Sequence, residues 1–157
     1  MITQQIDDNI KDAMRAKDSL KLSTLRAVKS EFVSATQRKG RESKTIDDLE
    51  ALSIIRKCIS QREDSSKAFF SGGRFDLSMK EQEEILILGE YLPVEMSDKE
   101  LGGIVNKIIG EFKRAVGQVT KKDTGKIIKS VSEVVAGRAD NKMISELVIK
   151  HLNTFEY

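Results

Sequence analysis

Apolar residues recur along the chain at the three- and four-residue spacing that is typical of one face of an α-helix. The spacing predicts four helices before Pro93 and three after it, and no segment shows the alternation of a strand. The apolar faces of the first four are Ile6, Ile10, Ala13 and Met14; Leu22, Leu25, Val28, Phe32 and Ala35; Leu49, Leu52, Ile55 and Ile59; and Ile85, Leu88 and Leu92. Those of the last three are Leu101, Ile104, Val105, Ile108 and Phe112; Ile127, Ile128, Val131, Val134 and Val135; and Met143, Ile144, Leu147, Val148 and Leu152.

Capping residues predict where the fourth helix begins. Ser78 and Glu81 have the spacing of a capping box, in which the serine oxygen accepts a backbone hydrogen bond and the glutamate accepts one in return. The helix is therefore expected to start at Ser78 and to end before Pro93, because proline cannot continue a helix. Its outer face is expected to carry four glutamates, Glu81, Glu83, Glu84 and Glu90.

The clearest signal for a domain boundary follows Pro93. Residues 94–96 are expected to form a short linker, and Ser97-Asp98-Lys99-Glu100 has the spacing of a second capping box. The predicted fold is all-α with two helical subdomains. These are a four-helix N-terminal unit over residues 1–93 and a three-helix C-terminal bundle over residues 97–157.

Composition narrows the class of protein. Of the 157 residues, 39% are hydrophobic and 5% aromatic, which indicates a globular protein with an aliphatic core. One Cys and one His exclude an internal disulfide and a zinc cluster of Cys and His ligands. The longest apolar run, residues 85–88, is far shorter than the ~20 residues of a membrane-spanning helix. The polar, acidic N-terminal residues 1–8 are unlike a targeting peptide, so a soluble cytoplasmic protein without membrane contact is expected.

Charge is distributed in blocks that the net charge of +2 conceals. Residues 11–62 contain thirteen basic and seven acidic side chains, and residues 76–100 contain two basic and eight acidic ones. Residues 112–142 are basic again, with eight basic and three acidic side chains. The two basic segments could contact a polyanion, although solvated helix faces give the same pattern.

Residue types that often act in catalysis are few. The chain has no glycine-rich loop followed by Lys-Ser or Lys-Thr, and hence no P-loop. His151 is expected to be solvated at the end of the last helix, and Cys58 to be a small buried side chain. Ser65-Ser66-Lys67 has the residue types of a Ser–Lys hydrolase but no glycine-rich oxyanion loop. We therefore expect no catalytic residue, no metal site and no cofactor.

Nine short blocks of sequence together indicate a family. They are Lys17-Asp18, Leu22-Ser23-Thr24-Leu25-Arg26, Arg56-Lys57, Gln61-Arg62-Glu63-Asp64, Gly73-Arg74-Phe75-Asp76-Leu77, Glu90-Tyr91-Leu92-Pro93, Ser97 with Glu100-Leu101, Gly125-Lys126-Ile127-Ile128 and Gly137-Arg138-Ala139-Asp140. In this order and spacing, the chain from about residue 4 to residue 152 resembles the GatB/YqeY family, in particular its stand-alone YqeY-like members. Each block is weak alone, but the ordered set is specific.

The resemblance implies an all-helical fold with two subdomains and a contact with tRNA. YqeY-like proteins are similar to the tail domain of the B subunit of the tRNA-dependent amidotransferase. That enzyme converts misacylated Glu-tRNA(Gln) or Asp-tRNA(Asn) to the amide form with glutamine as nitrogen donor. The tail contacts the tRNA, whereas the kinase reaction belongs to the body of the subunit. A tail-like chain is therefore expected to bind tRNA or other RNA, alone or with a protein partner of aminoacyl-tRNA metabolism, without self-sufficient catalysis.

Basic residues at the start of the sixth helix and in the turn to the seventh are the expected RNA contacts: Lys121, Lys122, Lys126, Lys129, Arg138 and Lys142. Such contacts hold phosphates without reading bases. Lys129 stands where many family members have a small residue, and we expect it to share an exposed face with Lys126, three residues earlier. One alternative function is an amidotransferase-like component, a carbon–nitrogen ligase with glutamine as amido donor, that acts with a partner. Another is a protein-interaction adaptor that uses the acidic helix 78–92 or the three-helix unit.

Overall fold

The computed structural model describes residues 1–38 and 45–154, and the regular structure of these residues is entirely helical. The helices are α1 (Ile2–Ala16), α2 (Ser19–Gln37), α3 (Asp48–Ser71), α4 (Phe75–Gly89), α5 (Asp98–Val116), the short 3-10 helix η1 (Lys121–Asp123), α6 (Thr124–Val135) and α7 (Asn141–Thr154). The all-α prediction is confirmed for this part of the chain. Within it, no helix has both the length and the apolar character needed to cross a bilayer.

Two compact units share the helices. The N-terminal unit, Met1–Leu92, contains α1 to α4, and the C-terminal unit, Pro93–Tyr157, contains α5, η1, α6 and α7. Each unit buries its own aliphatic core. The N-terminal core comprises Ile6, Ile10, Leu25, Val28, Phe32, Ile46, Ala51, Ile55, Cys58, Leu88 and Tyr91. The C-terminal core comprises Met96, Leu101, Val105, Ile108, Ile109, Ile127, Val131, Val135, Ala139, Ile144, Val148 and Leu152.

Four side chains that the sequence assigns to apolar faces are instead exposed, namely Met14, Leu49, Val134 and Met143. Residues spaced by four drift slowly around a helix, because 3.6 residues complete a turn. In the last turn of α6 the core therefore contacts Val135, and Val134 lies about 100° away from it. Spacing alone does not fix where the buried face ends.

A turn of three residues joins α3 to α4. Gly72 follows the last residue of α3, and Gly73 has a φ of 74°, a left-handed conformation that glycine adopts without strain. Arg74 then donates hydrogen bonds of 3.2 Å from Nε and Nη2 to the two carboxylate oxygens of Asp76. The block from Gly73 to Leu77, which helped to indicate the family, thus forms the tight turn between two helices and the start of the second.

Helix α4 begins at Phe75, so the predicted start at Ser78 is wrong. Ser78 lies inside the helix and is buried, with its hydroxyl oxygen 2.9 Å from that of Ser66 in α3. The two small side chains satisfy each other at the interface between the helices. Capping-box spacing was misleading here because the same residue types also serve a buried contact.

Glu84, expected on the outer face of α4, instead forms a mostly buried ion pair. Its Oε2 accepts a 2.8 Å hydrogen bond from Nε of Arg62 in α3, and the two side chains are only 14% and 15% exposed. Arg62 also donates from Nη1 to the carbonyl oxygen of Cys58 at 3.1 Å. The ion pair thus ties the middle of α3 to the middle of α4.

Met96, expected in a linker, belongs to the C-terminal core. The side chain is 8% exposed, and its backbone N–H donates a 2.8 Å hydrogen bond to the carbonyl oxygen of Arg138. The capping box that follows is confirmed, because Ser97 Oγ accepts from Glu100 N–H while Glu100 Oε2 accepts from Ser97 N–H. The chain therefore enters the C-terminal unit before α5 begins.

A fragment of residues 93–157 is expected to unfold cooperatively and to be more stable than a fragment of residues 97–157. The shorter fragment loses the buried Met96 side chain, whose burial contributes about 2 kcal/mol. Thermal and urea unfolding followed by circular dichroism would measure the cooperativity and the stability of the two fragments. A broad, non-cooperative transition in the longer fragment would contradict an independently folding unit, and equal stability of the two would contradict the role of Met96.

Glu84→Ala is expected to destabilise the protein by about 2 kcal/mol, because it leaves the mostly buried Arg62 guanidinium without its carboxylate partner. Glu83→Ala is the matched control, since Glu83 is an exposed neighbour on the same helix. Urea denaturation of both variants and the parent provides the comparison. Equal losses in the two variants would show that the ion pair contributes nothing specific.

Candidate nucleic-acid interface

Helix α6 is fixed in rotation by its buried face. Ile127, Val131 and Val135 have no exposed surface, so the opposite side of the helix must face solvent. Lys126 and Lys129 lie on that side and are exposed, which confirms the expectation that they share a solvated face. Lys129 therefore adds a surface charge and takes no part in the core.

A short turn before α6, which the sequence analysis missed, presents two further lysines. Lys121 and Lys122 are exposed in η1. Thr120 closes the turn, because its N–H and its Oγ1 each donate a 3.0 Å hydrogen bond to Oδ2 of Asp123. A signal for this turn was present, since Thr120 and Asp123 have capping-box spacing with aspartate in place of glutamate.

The first turn of α6 has no side-chain cap, and its Thr124 N–H donates to the carbonyl oxygen of Lys121 in η1. Asp123 directs its carboxylate to Thr120 and gives no side-chain hydrogen bond to the start of α6. A Cβ atom built on Gly125 would meet nothing within 4 Å, so the backbone there is sterically accessible. Backbone N–H groups at a helix start attract anions. Residues 121–129 thus combine four lysines and one aspartate with an accessible helix start.

The six basic residues expected to contact RNA fall into two groups at the two ends of α6. Lys121, Lys122, Lys126 and Lys129 lie in η1 and the first half of α6, whereas Arg138 and Lys142 follow its last residue. The axial rise from Lys126 to Val135 is about 14 Å. The first group is continuous along the chain and is called here the η1–α6 lysine cluster.

Arg138, one of the expected RNA contacts, lies against the segment that precedes α5. The side chain is half-buried, and Nε donates a 3.2 Å hydrogen bond to the carbonyl oxygen of Val94. Together with the bond from Met96 N–H to Arg138 O, this contact holds residues 94–96 against the α6–α7 turn. Arg138 is therefore part of the packing of the C-terminal unit.

The sixth basic residue, Lys142, is exposed, and its Nζ lies 4.0 Å from Oε1 of Glu146 in α7. Its backbone N–H donates a 2.8 Å hydrogen bond to Oδ1 of Asp140, which precedes α7. The aspartate thus satisfies one of the N–H groups at the start of α7.

Side chains considered for catalysis have structural roles. Cys58 is buried, and burial raises the pKa of its thiol, which disfavours the thiolate that acts as a nucleophile. Ser66 is buried against Ser78, and Nδ1 of His151 lies 2.7 Å from the carbonyl oxygen of Leu147. In the part of the chain that the structure describes, no group of three His, Cys, Asp or Glu side chains could hold a metal ion.

The fold and the lysine cluster define an all-helical protein with a basic surface on its C-terminal unit. Comparison with protein families identifies that class: residues 3–152 match the family described as Yqey-like protein. The chain therefore belongs to the YqeY-like family, as the ordered sequence blocks predicted.

Three curated relatives, all from yeasts, share the name "Altered inheritance of mitochondria protein 41, mitochondrial". The chain is 30% identical to the protein of Vanderwaltozyma polyspora over 155 residues, which cover 94% of this chain and 80% of the relative. It is 29% identical to that of Lachancea thermotolerans, with 93% and 78% covered, and 35% identical to that of Kluyveromyces lactis, with 78% and 66% covered.

The names of these relatives contradict the predicted cytoplasmic localisation, since each is described as a mitochondrial protein. The prediction rested on the polar, acidic residues 1–8, whose composition is unlike a targeting peptide. The composition of residues 1–8 therefore did not predict the compartment that the names of the relatives give.

Acid should remove the stabilisation that the Ser97–Glu100 capping box contributes. Hydrogen bonds from the backbone N–H and side chain of Ser97 lower the pKa of Glu100 below its ordinary value of 4.5. A carboxyl whose pKa is lowered by folding stabilises the folded state above its ordinary pKa, and this contribution disappears as the pH falls through the lower, folded-state value. The difference in urea midpoint between the parent and Glu100→Gln should therefore shrink between about pH 6 and about pH 3.

Glu111→Gln is the matched control for this experiment, because Glu111 is exposed on the same helix. Its urea midpoint should follow that of the parent at both pH values. A Glu100→Gln difference that is independent of pH would contradict the role of the carboxylate.

Proposed function

We propose that the protein is a tRNA- or RNA-binding accessory module without self-sufficient catalysis, and that the η1–α6 lysine cluster contacts the phosphate backbone. The main support for the proposal is the density of exposed charge over residues 121–129, where four lysines accompany one aspartate beside the sterically accessible backbone of Gly125. Exposed lysines bind phosphates by displacing counterions, and the helix start adds backbone donors.

Membership of the YqeY-like family supports the same function. The family resembles the tail domain of the tRNA-dependent amidotransferase B subunit, which contacts tRNA. The lysine cluster includes the Gly125-Lys126 pair, which belongs to one of the blocks that indicated the family. Phosphate contacts of this kind position an RNA without reading its bases, so we expect modest selectivity among RNAs.

Lys126→Glu combined with Lys129→Glu is the test variant. Both side chains are exposed and opposite the buried face of α6, so the fold should persist. We expect the four lysines of the cluster to contact phosphates. A plot of the logarithm of the parent's affinity for a purified tRNA against the logarithm of the salt concentration should then have a slope of about −3. Reversal of two charges should cost at least ~2 kcal/mol, or about thirtyfold in affinity.

Lys107→Glu combined with Lys150→Glu is the matched control. These lysines are exposed on α5 and α7 of the same unit, so the variant changes the net charge equally without touching the cluster. It should retain most of the parent's affinity. Equal losses in both variants would indicate attraction by net charge alone. Unchanged binding of a folded Lys126/Lys129 variant would contradict the proposed interface, and glutamine-dependent amide transfer by the chain alone would contradict the accessory role.

A further inference from the structure

Helix α4 carries a row of large apolar side chains that the N-terminal core does not use. Phe75, Met79 and Leu86 are 56%, 62% and 73% exposed. The spacing of four and then seven residues puts them on one side of the helix, away from the buried Ser78 and Leu88. Their Cα positions span about 16 Å along the axis.

The end of α3 extends this row. Phe70 is 63% exposed, and its ring packs edge-to-face on that of Phe75, with the ring centroids 5.1 Å apart. Single exposed apolar residues are common on protein surfaces, but several large ones aligned on one side of a helix indicate an interaction site. Phe70, Phe75, Met79 and Leu86 are called here the α4 apolar row.

The hairpin that carries the row is braced on its other side. The mostly buried Arg62–Glu84 ion pair and the contact between Ser66 and Ser78 join α3 to α4. The row therefore lies on a preformed surface. Binding of a partner would cost little free energy for the ordering of this chain.

The charged residues along α4 indicate which kind of partner could bind the α4 apolar row. Residues 81–90 contain four glutamates and no Lys or Arg, and one of the four, Glu84, is neutralised by its ion pair with Arg62. Glu83 and Glu90 are exposed three residues before and four residues after Leu86, and Oε2 of Glu90 lies 3.9 Å from Nζ of Lys21. The C-terminal end of the helix adds negative potential. An RNA backbone or an anionic membrane would be repelled there, and a second copy would bring Glu83 against like charges.

We propose that the α4 apolar row is the docking surface for a basic amphipathic helix of a partner protein. Apolar side chains of such a helix, spaced by three or four residues over at least about three turns, would cover Phe75, Met79 and Leu86. Its Lys or Arg residues would lie beside Glu83 and Glu90. The surface belongs to the N-terminal unit, whereas the proposed RNA contact belongs to the C-terminal unit.

The test uses the full chain and a fluorescein-labelled 18-residue peptide of Leu and Lys, patterned as an amphipathic helix. Fluorescence anisotropy should show saturable binding, and a Leu/Glu peptide of the same pattern should bind at least tenfold more weakly. Met79→Gln combined with Leu86→Gln should weaken binding of the Leu/Lys peptide at least tenfold. Glu83→Lys should weaken it several-fold, with a reduced dependence on salt.

The matched control replaces exposed apolar residues of the C-terminal unit, Val134→Gln with Ile149→Gln, and should leave the peptide affinity unchanged. Circular dichroism should show all variants folded, because each substituted side chain is exposed. Backbone amide shifts in a heteronuclear spectrum should change along α4 on addition of the Leu/Lys peptide.

Several outcomes would overturn the proposal. The parent and the Met79/Leu86 variant could bind the Leu/Lys peptide equally, or the parent could bind the Leu/Glu peptide as tightly as the Leu/Lys peptide. Analytical ultracentrifugation could show a dimer of the parent that the variant abolishes. Vesicles could bind the parent in a manner that depends on the row. Purified tRNA distinguishes this surface from the RNA interface. The Met79/Leu86 variant should keep its tRNA affinity, and the Lys126/Lys129 variant should keep its peptide affinity.

Discussion

Burial of one face of α6 determines what the C-terminal unit can present to solvent. Ile127, Val131 and Val135 are fully enclosed by α5 and α7, so any rotation of α6 would expose aliphatic surface at a cost of about 25 cal/mol per Å². Lys126 and Lys129 are held outward by this constraint, without any partner of their own being required. The direction in which the cluster faces is thus set by the core and not by electrostatics.

Arg138 shows how that core is completed. Its guanidinium and its carbonyl both bind the segment that leads into α5, through Val94 and Met96. The same side chain lies close enough to Glu100 to contribute to the lowering of that carboxyl's pKa. A basic residue in a basic segment can therefore serve packing, which explains why charge counts along the chain overestimate the number of ligand contacts.

The N-terminal unit, besides its aliphatic core, buries polar groups where α3 meets α4 and exposes large apolar side chains on the outer side of α4. Arg62, Glu84, Ser66 and Ser78 satisfy one another between the helices, whereas the α4 apolar row faces solvent. Paired polar groups at such an interface fix the alignment of two helices more specifically than aliphatic contacts do. The two units thus present surfaces of different chemistry, one rich in lysine and one apolar with acidic flanks.

The sequence by itself determined the helices, most of the core, the family and the lysines that face solvent. These follow from local rules: the 3.6-residue repeat, the Ser97–Glu100 capping box, the glycine turn at Gly73, and blocks of sequence in a fixed order. Only the tertiary structure decided which polar residues are buried. Glu84 and Ser78 are polar residues on an amphipathic helix, and only their partners, Arg62 and Ser66 in α3, make their burial favourable. The contact between Arg138 and Met96 likewise became visible only in the tertiary structure. The two residues are 42 positions apart, so no periodic pattern in the chain indicates that they meet.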